Sequence, residues 1–429
     1  MSWYSKGLRD TFGSLRQRGS TRDAPGRLVR NHHRSGRHVW HTAANAVVLA
    51  YLVAAAGWIV ARGPGRAPGW LLVHLLLLGA VTNAIVTWTG HFAATLLQQP
   101  QMSRRVMAWR LVALNVAVPA VLVGVNESWR PVAVAGAALL AVVITVHGLI
   151  LWRTVHAGRE RRLAPTVRFY YVAVIALLLG VSSGTAMVVG VPTAWYPRIY
   201  AVHVHLNILG WVTLTVFGTE FSLWPTALRT RMVDGLERAA RRCLPGCAAG
   251  LGLVVVGLMT ATRPVTATGL VVYLGGVTVF LDPFVRTALR RRPGTPATWM
   301  LAAGTGWLLL ALGTDVVAVL RSGDPAWVAD QVAALVPWFL TGFVVQALLG
   351  ALSYLLPVML GGPPAVGRRT ASVLNRWGLV RVLGLNAGVL LLALRVPAVA
   401  PLGWALVAVV LVGFAALALT ATAIRRNAS

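Results

Sequence analysis

His203 and His205 stand in the run Ala201-Val-His203-Val-His205-Leu-Asn-Ile-Leu-Gly210-Trp-Val, inside an apolar stretch long enough to cross a bilayer. Ionisable side chains in the hydrocarbon region are costly and mark functional sites by default. At i and i+2 of a helix, the two imidazoles project about 200° apart, toward opposite neighbours. A single ion would want both on one face, whereas opposite faces suit two neighbours or two cofactor pockets. Neutral imidazole can be buried without charge and is the common ligand for metals and haem iron. A partial copy of the motif lies upstream. His74-Leu-Leu-Leu-Leu-Gly79-Ala-Val-Thr-Asn83 matches His205-Leu-Asn-Ile-Leu-Gly210-Trp-Val-Thr-Leu214, with His, Leu, Leu, Gly, Val and Thr in register.

The elements that position these histidines follow from composition. The chain is 57% hydrophobic and 12% charged, with a mean hydropathy of +0.70, which makes it an all-α integral membrane protein. Twelve apolar runs of spanning length lie near 41–61, 69–97, 107–125, 131–153, 168–190, 199–227, 244–261, 266–287, 298–320, 332–360, 375–394 and 398–424. Residues 1–37 are basic and polar with no apolar signal segment, and read as a disordered cytoplasmic tail ahead of a 38–429 membrane domain. The net charge of +28 is not a nucleic-acid footprint. Only Arg62, Arg66, Arg130, Arg198, Arg263, Arg321 and Arg395 fall in one set of alternate loops, leaving 32 of the 39 Lys+Arg on the other side. This positive-inside pattern places both termini in the cytoplasm and the protein in the cell inner (plasma) membrane, its basic face against anionic lipid.

The copied motif divides the twelve spans into three repeats of four, about 38–160, 161–293 and 294–429. The second, sixth and tenth spans are the long ones, and each carries a glycine: Gly79, Gly210 and Gly350. If Gly350 is the third counterpart, the tenth span offers only Phe343 and Val345 where the histidines would stand. Such internal symmetry also occurs in transporters. His74, His203 and His205 all lie near the outer side, and three imidazoles converging at one depth read as metal or haem ligands. Threefold symmetry sets His203 opposite His74 as axial partners and turns His205 to a second pocket. Deeper in the bundle, His91, His147 and Glu220 are candidates for a proton path or a buried His–Glu pair. Asp282 and Asp315 are expected to pair with Arg286 and Arg321, while Asn83, Asn115 and Asn386 suit interhelical hydrogen bonds. Cys243 and Cys247 read as buried thiols.

His203-Val-His205, Leu209-Gly210-Trp211-Val212, Phe217-Gly218 and Trp224-Pro225 resemble the tenth helix of haem–copper oxidase catalytic subunits, nearest the cbb-type branch. The resemblance implies twelve helices in three pseudo-symmetric quartets and b-type haem held by the two histidines on opposite helix faces. Arg198 and Arg395 are then candidates for the haem propionates, and a quinol or cupredoxin-like protein is the redox partner. The departures are large. The motif lies on the sixth span, and the last six spans contain no histidine, so the ligands of an oxygen-reducing copper centre are missing. The chain also resembles the membrane part of actinobacterial proteins fused to cupredoxin (copper nitrite reductase-like) domains and, more loosely, NnrS-type membrane proteins.

The sequence thus predicts a haem-binding membrane protein with an electron-transfer or redox-sensing role that does not reduce oxygen. A copper-handling protein or transporter is one alternative, although none of the eight Met lies beside the histidines as a thioether relay would need. A cofactor-free structural partner is the other. The topology is open to test by cysteine labelling in intact cells. A membrane-impermeant reagent is expected to modify a cysteine placed at Asn126 and to spare one at Gly158 or Ala365; labelling of the latter two from outside reverses the orientation.

Overall fold

The computed structural model describes residues 25–63, 69–158, 162–321, 325–361 and 363–427. Of the tail expected to be disordered over 1–37, the first 24 residues lie outside the described ones, and the chain is helical from Pro25. Twelve helices are long and apolar enough to cross a membrane: α1 (Ala43–Arg62), α2 (Trp70–Leu96), α3 (Arg104–Asn126), α4 (Arg130–Ala157), α5 (Ala164–Val189), α6 (Tyr196–Ala227), α7 (Leu236–Met259), α8 (Arg263–Arg290), α9 (Pro296–Arg321), α10 (Val328–Leu360), α11 (Pro364–Ala393) and α12 (Ala400–Arg426). They coincide with the twelve apolar runs, and no strand occurs among the described residues. In hydrocarbon the backbone must satisfy its own hydrogen bonds, which is why each run becomes a helix.

The core lies along three of them. The apolar windows of α2, α6 and α10 are 72%, 67% and 67% buried, against 28–56% for the other nine. The outer helices turn large apolar side chains such as Trp109, Val380 and Val409 outward, a surface suited to lipid. Glycines let consecutive outer helices meet closely. A Cβ on Gly124 of α3 would lie 2.4 Å from the backbone of Ala133 in α4, one on Gly250 of α7 2.4 Å from Tyr273 in α8, and one on Gly388 of α11 2.9 Å from Gly403 in α12.

The three central helices share one irregularity. Each passes through a π-helical stretch: Leu75–Val81 in α2, Leu206–Thr213 in α6 and Trp338–Val345 in α10. The stretches begin 131 and 132 residues apart, and the fifth residue of each is glycine: Gly79, Gly210 and Gly342. Each glycine faces an equivalent neighbour. An added Cβ would lie 2.3 Å from Tyr51 of α1, 2.3 Å from Ala176 of α5 and 2.9 Å from Trp307 of α9, respectively. The glycine at the shared position of α10 is therefore Gly342, where the sequence suggested Gly350. Gly350 instead meets Ala297 and Leu301, about two turns further along. Under the corrected register, Leu335 and Pro337 occupy the places of His203 and His205.

The close approach at Gly210 yields a stability prediction. The clashing atom is the Cβ of Ala176, fixed to its own backbone, so it cannot swing aside. Gly210→Ala is expected to destabilise the folded protein by about 1–3 kcal/mol, the usual cost of overpacking. Gly413→Ala, where nothing lies within 4 Å, is expected to be neutral or mildly stabilising. Thermal unfolding in detergent checks both.

Candidate functional site

His74 ends the first α-helical turn of α2, immediately before the π stretch, and His205 stands in the same place before that of α6. Both stand at the arginine-poor end of the bundle. The His74 ring stacks on Trp70, with centroids 4.1 Å apart, and its Nδ1 lies 2.8 Å from the Trp70 carbonyl. His203 reaches across to the neighbouring helix, its Nδ1 2.8 Å from the Gly180 carbonyl of α5. A carbonyl oxygen can only accept, so in both residues Nδ1 carries the hydrogen and Nε2 keeps its lone pair. That is the tautomer a metal-ligating histidine needs, fixed by the hydrogen bond at its other nitrogen. Asn207 steadies the backbone behind His203, its Nδ2 donating to the His203 carbonyl at 2.7 Å.

The rings of His74 and His203 face each other with centroids 6.2 Å apart and planes 26° from parallel. The pair is a loose stacked contact, near the long end of the range over which aromatic rings interact. Two imidazoles bound to one metal from opposite sides, with bonds near 2 Å, place their nitrogens about 4 Å and their centroids about 6 Å apart. Gly184 of α5 makes the room, since a Cβ there would come within 3.0 Å of the His203 ring.

His205 turns the other way, as the i, i+2 spacing requires, and is nearly inaccessible. Its Nδ1 donates to the Ala201 carbonyl at 2.7 Å, and its Nε2 lies 2.9 Å from Oδ2 of Asp315 on α9. Both nitrogens are engaged. This corrects the pairing expected for Asp315. Arg321 lies six residues further along, about 120° around the helix, and is exposed, whereas Asp315 is 1% exposed and points inward. Asp282 does pair with Arg286, at 2.7 Å.

The deeper candidates do not form one cluster. His147 of α4, fully buried, sits 3.0 Å from Nη1 of Arg110 on α3 and 3.0 Å from Oγ1 of Thr89 on α2. The guanidinium can only donate, so Nδ1 of His147 accepts and Nε2–H donates to Thr89, whose hydroxyl donates to the Ile85 carbonyl. A second proton on His147 would break the bond to Arg110 and set two cations against each other. His147 is thus a fixed acceptor for a buried arginine. Glu220 of α6 is buried beside Thr305 of α9 and pairs with neither His91 nor His147. His91 packs edge-on to Trp88.

Arg198 stacks over Trp195 and donates to the Met259 carbonyl at 3.3 Å. Seven residues before His205, it shares that residue's face of α6 and not the face of His203. Arg395 is exposed in the loop between α11 and α12. The structure brings neither arginine to the His74–His203 pair. Cys243 and Cys247 are buried free thiols, their sulfurs 3.9 Å apart. Sequence reasoning missed Asp315 as the partner of His205, and missed Arg110, a cation interrupting an apolar run. Among the described residues, no three His, Cys, Asp or Glu side chains gather closely enough to hold a metal ion.

The Arg110–His147 link can be measured by a double-mutant cycle. His147→Leu strands a buried guanidinium and is expected to cost about 1–3 kcal/mol. Arg110→Met with His147→Leu is expected to cost less than the two single changes summed, because the stranded charge is gone. Additive melting-point shifts would show that the two side chains do not depend on each other.

The chain matches no known protein-family profile and no curated protein.

Proposed function

We propose that this protein binds haem between His74 and His203 and serves as an electron-transfer or redox-sensing component of the membrane. The carrying observation is the pair itself. Two imidazoles on different helices stand 6.2 Å apart, each with Nδ1–H tied to a backbone carbonyl. Such a pair suits a planar cofactor that needs one axial ligand on each side. A bound haem supplies a reversible one-electron couple. The chain's own part is to hold both Nε2 lone pairs in place and to keep the rings from rotating, through Trp70 and Gly180. The repeated π stretches, with glycines facing α1, α5 and α9, support reading the helices as three related quartets, as in the haem–copper oxidase bundle. His74 and His203 then sit at the junction of the first two quartets. With the arginine-rich loops in the cytoplasm, this junction lies toward the outer side of the plasma membrane, where a quinol or cupredoxin-like partner could exchange electrons.

An absorption spectrum and metal analysis of the purified protein test the proposal. A reducible Soret band and α band of low-spin type are expected, with iron in the preparation. His74→Ala or His203→Ala is expected to abolish the low-spin spectrum, and His205→Ala to leave most of it. Copper in place of iron, lost in the same two variants, would assign the pair to copper handling. No bound metal or haem would leave the histidines as interhelical hydrogen-bonding groups.

A further inference from the structure

The π stretches set α6 and α10 in register with α2 and mark a second inter-helix position built on the same plan. In the first pocket, His74 precedes the π stretch of α2 and meets His203 of α6, beside Gly184 of α5. Gly184 lies eight residues beyond Ala176, the residue that faces Gly210. One quartet further on, His205 precedes the π stretch of α6. Leu335 takes the place of His203 on α10, three residues before the π stretch. Eight residues beyond Trp307, the residue that faces Gly342, the place of Gly184 is taken by Asp315.

Both replacements close the second pocket. Asp315 puts Oδ2 2.9 Å from Nε2 of His205, the nitrogen that a metal would need. Its other oxygen, Oδ1, has no hydrogen-bond partner, so the carboxylate is held there by the histidine alone. Leu335 is fully buried and offers no ligand from the opposite side. The 325–337 part of the tenth helix runs closely along the 196–205 part of α6, while the start of α2 approaches that part less closely. We infer that Asp315 and Leu335 are specificity residues that bar a cofactor from the second inter-quartet pocket, so that the chain holds one haem and not two. The inference rests on the reading of His74 and His203 as haem ligands.

Haem content per chain, measured on protein purified from haem-supplemented cells, tests it alongside iron analysis and the thermal unfolding midpoint. The natural chain is expected to hold one haem. Asp315→Gly with Leu335→His restores the first-pocket pattern and is expected to raise the content to two, with the low-spin absorbance doubled. Asp315→Asn keeps a side chain of the same shape against His205 and is expected to remain at one. His205→Ala in the natural chain is expected to leave the content at one, a result that does not depend on the double variant folding. A natural chain holding two haems, one of them lost in His205→Ala, overturns this inference and leaves the first pocket intact. So does a double variant that melts like the natural chain and still holds one haem. A natural chain without haem overturns the reading of the His74–His203 pair, and this inference with it.

Discussion

Every polar group buried within the bilayer must find its partner inside the protein, and the three π stretches concentrate that demand at one level of the bundle. A π turn widens the helix and leaves carbonyls out of the regular i, i+4 ladder. Side chains take up the difference. Thr82 and Thr213 donate to the carbonyls five residues back, Leu77 and Ile208. Asn83 and Gln346 donate to the glycine carbonyls of Gly79 and Gly342. In α6 the corresponding work falls to Tyr273, which reaches from α8 to the Leu209 carbonyl at 2.7 Å. Trp211 then bonds to Thr82, joining the widened turns of α6 and α2. His74 and His205 are the last residues before these turns, so their directions are set by a backbone locked from several sides.

The two histidines of α6 owe their different fates to what they meet. His203 meets α5 at Gly180 and Gly184, where a bare backbone offers an acceptor for Nδ1 and space for the ring. His205 meets a carboxylate. Removing one partner of a buried, hydrogen-bonded charge pair strands the other at a cost of about 3–5 kcal/mol, so the His205–Asp315 contact ties α6 firmly to α9. One imidazole thereby retains a free lone pair while its neighbour two residues away is spent on helix packing.

Much of this was legible in the sequence. The twelve spans follow from hydropathy, the opposite directions of His203 and His205 from the helical period, and the match of His74 with His205 from six shared residues. The pairs Asn83–Asn115 and Gln346–Asn386 also involve amides that stand out in apolar runs, although only the asparagines were singled out. The third glycine was not legible, because α10 shares almost no side chains with the other two helices. Its kinship lies in backbone hydrogen bonding, which leaves no letter pattern. Asp315 looks like a helix-end acid when counted along α9. Its partner is 110 residues away in the chain, and only the packing of α6 on α9 turns it inward.

Two helices packed near α2 and α10 share a device that is not seen beside α6 among the described residues. On α3, Arg110 stands five residues before Asn115, which bonds to Asn83. On α11, Arg381 stands five residues before Asn386, which bonds to Gln346. Both arginines are buried and make no ion pair with a described residue. Arg110 donates to His147 and the Val86 carbonyl. Arg381 donates to the Leu374 carbonyl and lies over the Phe414 ring. A guanidinium stays charged when buried, so each fixes its helix against neighbours that must supply acceptors. In α7 the buried side chains at the α8 interface include Cys243 and Cys247, and the clamp on the π stretch comes from α8 through Tyr273. Among the described residues, α6, which carries His203 and His205, is held without such an arginine–asparagine frame. It is held instead by Tyr273, Asp315 and the Gly180 carbonyl, two of which act directly on the histidines. Around α6 the groups that stabilise the bundle and the groups that orient the imidazoles are largely the same.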